Sequence, residues 1–162
     1  MEQDVKRLQF TDSVPVLMLP SRSKNLVLPN VNIAEFVNAG KPEPIANTPD
    51  WFVGMVSWRG QTVPLISFER LNGDVEQVPV QDSRGQVAIL NGISGREELP
   101  FFAVMCSGIP RQSRIVEDDV SVDDSAVGGR VELSRVLLSG EPCVIPDLEV
   151  IEAQICRVLL SL

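Results

Sequence analysis

Short apolar runs alternate with clusters of Gly, Pro, Asn, Asp and Ser along most of the chain. This pattern predicts strands at Val14–Leu19, Leu26–Leu28, Val53–Arg59, Thr62–Phe68, Gln86–Asn91, Phe101–Ser107, Ile109–Val116, Val131–Leu138 and Pro142–Pro146. Many short strands with turn residues in nearly every gap indicate small barrels or a sandwich. Several runs, such as Phe101-Phe102-Ala103-Val104-Met105-Cys106, do not alternate polar and apolar residues. A strand apolar on both faces has to be covered on both, here by a barrel interior and by a neighbouring subdomain. No helix of crossover size separates the strands, which argues against a doubly wound sheet.

Two segments carry helical patterns. Asn32-Ile33-Ala34-Glu35 places a capping Asn three residues before a Glu, with Phe36 and Val37 sharing the face of Ile33. Gly40 and Pro42 end that short helix, expected over Ile33–Ala39. The second helix runs from Leu148 to Leu160, with Ile151, Ile155, Val158, Leu159 and Leu162 at helical spacing. Asp147, Glu149 and Glu152 suit its positive N-terminal end and Arg157 the other. The polar stretch Gly73–Gly85 reads as a link between two halves, and no repeat of fixed period is visible.

The 162 residues suffice for one compact domain or two small subdomains sharing a core, and 44% hydrophobic residues supply apolar material to bury. Net charge is −8, from 14 basic and 22 acidic residues, so the basic footprint of a nucleic-acid or anionic-lipid binder is missing. There is no histidine, which removes His-based triads, imidazole metal sites, imidazole acid–base chemistry and phosphohistidine on this chain. Cys106, Cys143 and Cys156 have no CxxC spacing and are odd in number, as expected of buried free thiols in a reducing compartment. The start, MEQDVKRLQF, has no apolar segment of a secretory signal, and no apolar run is long enough to span a bilayer. A soluble intracellular protein is the expectation.

Recognisable chemistry is sparse. The chain has no phosphate-cradling GxxxxGK[ST], no GxGxxG after a strand and no GxSxG elbow. Glu117, Asp118, Asp119, Asp123 and Asp124 put five carboxylates within eight residues, but Val120, Ser121 and Val122 break the order of a calcium loop, and a solvated loop is expected. Paired acids such as Glu97-Glu98 point apart on one chain, whereas glycoside hydrolysis needs opposed carboxylates across a cleft. No metal or cofactor is implied.

An interaction surface is left, concentrated in TPDWFVGMVSWRGQTVPLISF, residues 48–68. Trp51 and Trp58 are the only tryptophans, and Arg59-Gly60 lies between two strand-like runs, where Gly60 can take the positive φ of a tight turn. Arg59 would then stand at the shoulder of a rigid hairpin, its planar fork able to grip a partner's carboxylate or backbone carbonyls. The alternative is a Trp58 packed into a barrel beside an ordinary exposed Arg59.

Thr48-Pro49, Gly54, Trp58-Arg59-Gly60 and Val63-Pro64-Leu65-Ile66 together resemble the hallmark of CheW-like coupling proteins. Phe101–Gln112 and Ser139–Leu148 extend the resemblance with less specific motifs, so that it covers residues 12–153, leaving 154–162 as the end of the C-terminal helix. The resemblance implies a mainly β fold of two SH3-like five-stranded barrel subdomains around a shared core, with one short and one C-terminal helix. It implies a non-enzymatic adaptor without cofactors, located in the cytoplasm at chemoreceptor arrays on the inner membrane. The implied partners are a chemoreceptor cytoplasmic tip and the regulatory domain of a CheA-type histidine kinase; nucleic acid and direct membrane insertion are not among them. Arg59, Gly60 and Trp58 would form the polar lip of a groove for the receptor tip, lined by Phe36, Val37 and Ile109. Trp58 where the family carries Leu, and Ser57 where it carries Asn, point to a divergent member of the kind serving type IV pili. Two other classes stay open: a small-molecule-binding β-barrel sensor, and an enzyme using Asp and Glu without His.

Overall fold

The computed structural model describes residues 13–21, 24–74, 86–123 and 128–162. The start MEQDVKRLQF, most of the polar link Gly73–Gly85 and Asp124 lie outside the described residues. Among the described residues there are eleven strands: β1 Val14–Pro20, β2 Asn25–Pro29, β3 Ile33–Asn38, β4 Phe52–Trp58, β5 Gln61–Ile66, β6 Gln86–Asn91, β7 Phe101–Met105, β8 Arg111–Ile115, β9 Val120–Val122, β10 Glu132–Leu138 and β11 Glu141–Pro146. Helix α1 spans Phe68–Asn72 and α2 spans Leu148–Leu160. One sheet has the order β8-β1-β2-β11-β10-β9, and the other β3-β6-β7-β5-β4. The first sheet gathers strands from both ends of the described chain, while the second uses its middle. The second sheet is thus built from the consecutive strands β3 to β7, and the first closes around it with strands from before and after that stretch.

Three apolar clusters explain the runs that do not alternate. Along β1, Val16 and Met18 enter one cluster with Val27, Val136, Leu138 and Cys143, while Leu17 and Leu19 enter a larger one. Along β6, Val87 and Ile89 turn into a second small cluster, and Ala88 and Leu90 into the same large one. Each small cluster fills one barrel, and the large cluster lies between the barrels, where α2 adds Leu148, Ile151 and Ile155. Strand residues on alternate sides are thus buried in different cores, which removes the need for a polar face.

The helix expected at Ile33–Ala39 does not form. Asn30–Asn32 makes a single 3-10 turn, and Ile33–Asn38 is strand β3, antiparallel to β6 with Phe36 opposite Ala88 and Val37 opposite Val87. A seven-residue helix is too short to hold itself together, and β6 offers an open ladder to β-branched and aromatic residues. Phe36 and Val37 consequently fall on opposite faces, Phe36 against the central core and Val37 against the barrel core. The C-terminal helix has the expected bounds; Asp147 caps it by accepting from the Val150 N–H at 3.2 Å. Leu162, placed on its apolar face by spacing, lies past its end and is exposed.

A repeat invisible as sequence is present as backbone. Strands β4 and β5 become β10 and β11 on adding 80 to each residue number, from Phe52 to Glu132 and from Ile66 to Pro146. Arg59-Gly60 and Ser139-Gly140 are the matching turns, with φ of 47° and 76° in one and 49° and 82° in the other. Positive φ at both central residues matches the right-handed twist of the flanking strands. Ser67 and Asp147 are the matching N-caps, and β5 and β11 each pair in parallel with a further strand, β7 and β2 respectively.

Where the barrels meet, a polar knot ties α1 to β10. Asn72 donates to Asp74 and Glu132, each at 2.8 Å, and its carbonyl oxygen accepts from the Val131 N–H at 3.0 Å. Glu132, its side chain 1% exposed, also accepts from Arg135 at 2.7 and 3.0 Å and from the Gly129 N–H. Burial alone would push the Glu132 carboxyl up; the bonds from Arg135, Asn72 and Gly129 and the nearby Lys24 charge outweigh it and bring it down to about 2, from 4.5. A depressed folded-state value stabilises above the unfolded value and loses that contribution as pH falls toward the folded one. This shift is worth at most about 3 kcal/mol. Glu132→Gln is expected to lower stability by up to that amount at pH 7. The gap to wild type should narrow between pH 5 and about pH 2. A gap independent of pH in urea unfolding would show that the carboxylate charge is not what holds the knot.

Candidate functional site

The β4–β5 hairpin places Trp58, Arg59 and Gly60 together at one end of the second barrel. Trp58 closes β4 and is buried, its ring edge-on to Phe101 with centroids 4.9 Å apart. Its indole N–H donates to Glu35 Oε2 on β3 at 2.7 Å. The Arg59 side chain is 67% exposed; its Nε lies 3.2 Å from the same carboxylate oxygen, and its guanidinium carbon sits 5.2 Å from the Trp58 ring centre. One carboxylate thus draws β3 toward β4 and fixes both hairpin residues. A cation over an aromatic face adds about 0.5–1 kcal/mol at an exposed site. Gly60 has open space around it, so it is required for its backbone angle and not for room.

Further along the hairpin, the outer edge of β4 is itself covered. The Met55 N–H donates to the Glu43 carbonyl and the Glu43 N–H to the Met55 carbonyl, both at 2.8 Å. Met55 is opposite Pro64, which has no N–H to give. Because Met55 spends its backbone groups on Glu43, Pro64 leaves no orphan across the hairpin. Gly54 sits beside this crossing at φ +150°, and a Cβ there would lie 2.3 Å from the Glu43 carbonyl oxygen.

The residues expected to line one groove are dispersed. Trp58, Arg59 and Gly60 form a unit, and Val37 packs against the core beneath it. Phe36 points to the other core, and Ile109, 75% exposed, lies on the connection between β7 and β8 that carries the chain from one sheet to the other. Glu35, the residue that binds the unit together, falls in the segment whose sequence pattern predicts a capped helix. The signal that identifies it is a lone acid among apolar strand residues, which demands a donor nearby.

The three cysteines are buried and free. Burial, partly offset by a backbone hydrogen bond from Ala88, pushes the Cys106 thiol up to about 12, and burial pushes Cys143 to about 11. Both are neutral thiols at pH 7, the form that is a poor nucleophile. Glu117–Asp119 forms an exposed 3-10 turn leading into β9, and among the described residues no three acidic or cysteine side chains converge as metal ligands.

Two small barrels with filled interiors, and a stiff Trp–Arg hairpin mounted on one of them, define a double-barrel β protein whose distinctive polar feature faces outward. The CheW-like domain model matches residues 15–154, and the chain belongs to that family. The crystal structure of the scaffolding protein TtCheW from Thermoanaerobacter tengcongensis superposes with a TM-score of 0.66 at 15% identity, covering 82% of this chain and 88% of that one. It shares the two-subdomain β fold. No curated protein is significantly similar in sequence. No helix among the described residues is long and apolar enough to cross a membrane.

Proposed function

We propose that the protein is a non-enzymatic adaptor that couples chemoreceptors to a CheA-type histidine kinase, with the Trp58–Arg59–Gly60 turn as part of the receptor-facing surface. The observation that carries this is the mounting of Arg59. Its guanidinium is exposed, yet it is fixed from below by Trp58 and from the side by Glu35. The filled barrels support docking of macromolecules over enclosure of a small ligand: Val53, Val56, Trp58, Val63, Leu65, Val87, Ile89 and Ala103 occupy one interior. Family membership supports the receptor and kinase as the two partners and cytoplasmic receptor arrays as the location. The substitutions Trp58 for Leu and Ser57 for Asn support a system driving type IV pili, for which deletion should impair twitching and spare swimming.

Calorimetric titration with a receptor cytoplasmic fragment and with the kinase regulatory domain tests the proposal. Folded protein that binds neither would defeat it. Arg59→Ala should keep the fold and weaken one of the two interactions by about tenfold, the loss of an Arg anchor being worth at least about 1 kcal/mol. Unchanged affinity for both would remove Arg59 from the surface.

A further inference from the structure

We propose that Asn72-Gly73 is a self-modification site held unreactive by the closed seam between the barrels, and that its deamidation keeps the barrels apart once they have parted. This chemistry does not depend on the docking role. The chain contains two Asn-Gly pairs, Asn72-Gly73 and Asn91-Gly92. An asparagine before glycine deamidates readily, because no side chain shields the following nitrogen from the asparagine Cγ. That nitrogen bonds to Cγ, the Cγ–Nδ2 bond breaks, and ammonia leaves with the proton of the glycine N–H. Water then opens the succinimide ring at either carbonyl, leaving aspartate or isoaspartate. Water enters and ammonia departs; no other reactant is needed.

The fold dictates both glycines but treats the two asparagines differently. Gly73 caps α1 at φ of +76°, and a Cβ on Gly92 would collide with the Leu99 carbonyl oxygen. Asn72 is 2% exposed, and both ends of its amide are pinned, the nitrogen on Asp74 and Glu132 and the oxygen on the Val131 N–H. Gly129 lies against that amide so closely that a Cβ there would strike it. The Gly73 N–H is itself engaged by the Arg70 carbonyl at 3.2 Å, and the Asn72 carbonyl accepts from the Arg130 N–H at 3.3 Å. Attack requires the side chain to swing back onto its own backbone and water to reach it. Both require α1 to leave Val131 and Glu132, which belong to the other barrel. Asn91 ends β6, and its amide nitrogen bonds the Val31 carbonyl at 3.1 Å in an exposed position. Fraying of that strand end, with loss of the bond from the Gly92 N–H to Pro100, frees it while the barrels stay together.

Reaction at position 72 opposes reclosure. A carboxylate there has no hydrogen to donate, and it would face Asp74 and Glu132, the two acids the amide had bonded. Lys24 and Arg135 already pair with those acids, so a third negative charge enters the seam unmatched. Isoaspartate also lengthens the main chain by one carbon and shifts Gly73 from its cap.

Incubating the full chain at about pH 8 across a urea series, followed by peptide mass spectrometry, compares both sites in one molecule. In unfolding urea the two should convert at similar rates. In buffer, position 72 should lag position 91 by at least about tenfold. Below the unfolding midpoint the rate at 72 should climb steeply with urea, because parting the barrels exposes much surface, while the rate at 91 climbs little. Glu132→Gln should speed conversion at 72 about tenfold and leave 91 unchanged. If that variant were unfolded, 91 would accelerate with it, and the wild-type series would decide. Protein converted at 72 and isolated by its added charge should unfold at lower urea than unconverted protein. Conversion at 72 as fast as at 91 in buffer, an intact 72 in the unfolded chain, or a folded Glu132→Gln that leaves 72 unchanged would overturn the site. Aspartate alone at 72, without isoaspartate, would overturn the cyclic route, and a wild-type midpoint for converted protein would overturn the locking.

Discussion

Gly54→Ala is expected to lower stability by about 4 kcal/mol, from left-handed strain of about 1–3 kcal/mol and overpacking of similar size. The added Cβ would meet the Glu43 carbonyl oxygen at 2.3 Å and its carbon at 2.8 Å, both backbone atoms that cannot swing aside. Relief would require breaking the paired bonds between Glu43 and Met55, which seal the outer edge of β4. The demand is local to this barrel. Its counterpart 80 residues on is Ser134, at the matching bulge in β10, so the hairpin as such does not require glycine there. Urea unfolding gives the measurement: the midpoint should fall while the slope stays that of wild type. A loss under about 1 kcal/mol would mean that Glu43 yields freely and does not seal the strand. Because β4 leads directly into Trp58 and Arg59, partner binding should fall along with stability, unlike in Arg59→Ala, where binding falls alone.

What the sequence disclosed depended on how locally each feature is determined. The strands buried on both faces were legible because six consecutive apolar residues in Phe101–Cys106 allow few other solutions. Helix α2 was legible because its cap, its acidic start and its apolar spacing agree over 13 residues. Strand β3 was misread because Asn32 and Glu35 have the spacing of a capping box, while the partner that overrides it, β6, lies some fifty residues away. That error also hid the main support of the candidate site. On a helix, Glu35 would face its own N-terminus; on a strand, it reaches Trp58 and Arg59. Helix α1 has five residues, too few to show a period, and only its first, Phe68, falls within an expected element, as the end of the strand at Thr62–Phe68. The backbone repeat was hidden because only Val56, Gly60 and Glu69 keep their identity over residues 52–72 when 80 is added, at Val136, Gly140 and Glu149. A turn needs glycine, but the rest of a hairpin needs only apolar residues of suitable shape.

That repeat exposes a symmetry in how the barrels are fastened, and the second large effect follows from it. Asn72 and Glu152 are equivalent positions, each the fifth residue of its helix, and both are buried. Asn72 reaches from the helix of one barrel to the strand entering the other, at Val131 and Glu132. Glu152 does the reverse: from the helix that follows the other barrel, it accepts the Ile93 N–H at 3.0 and 3.1 Å and the Ser94 N–H at 3.2 Å, in the loop leaving β6. The two barrels are therefore cross-tied by one polar side chain from each helix, beside the ion pairs of Lys24 and Arg135 with Asp74 and around a large apolar core. Apolar contact favours closeness, whereas these bonds fix one orientation of barrel against barrel. Glu152→Ala is expected to cost about 4 kcal/mol, since two bonds to a charged acceptor are worth about 1.5–3 kcal/mol each and their donors lose their partner. Glu152→Gln, which keeps an acceptor of the same length, should cost about half as much. Amide exchange should quicken first at Ile93 and Ser94, at conditions where the strands of both sheets remain protected. An alanine variant within 1 kcal/mol of wild type, with those two amides unchanged, would show that the apolar core alone sets the arrangement of the barrels and that the tie is incidental to it.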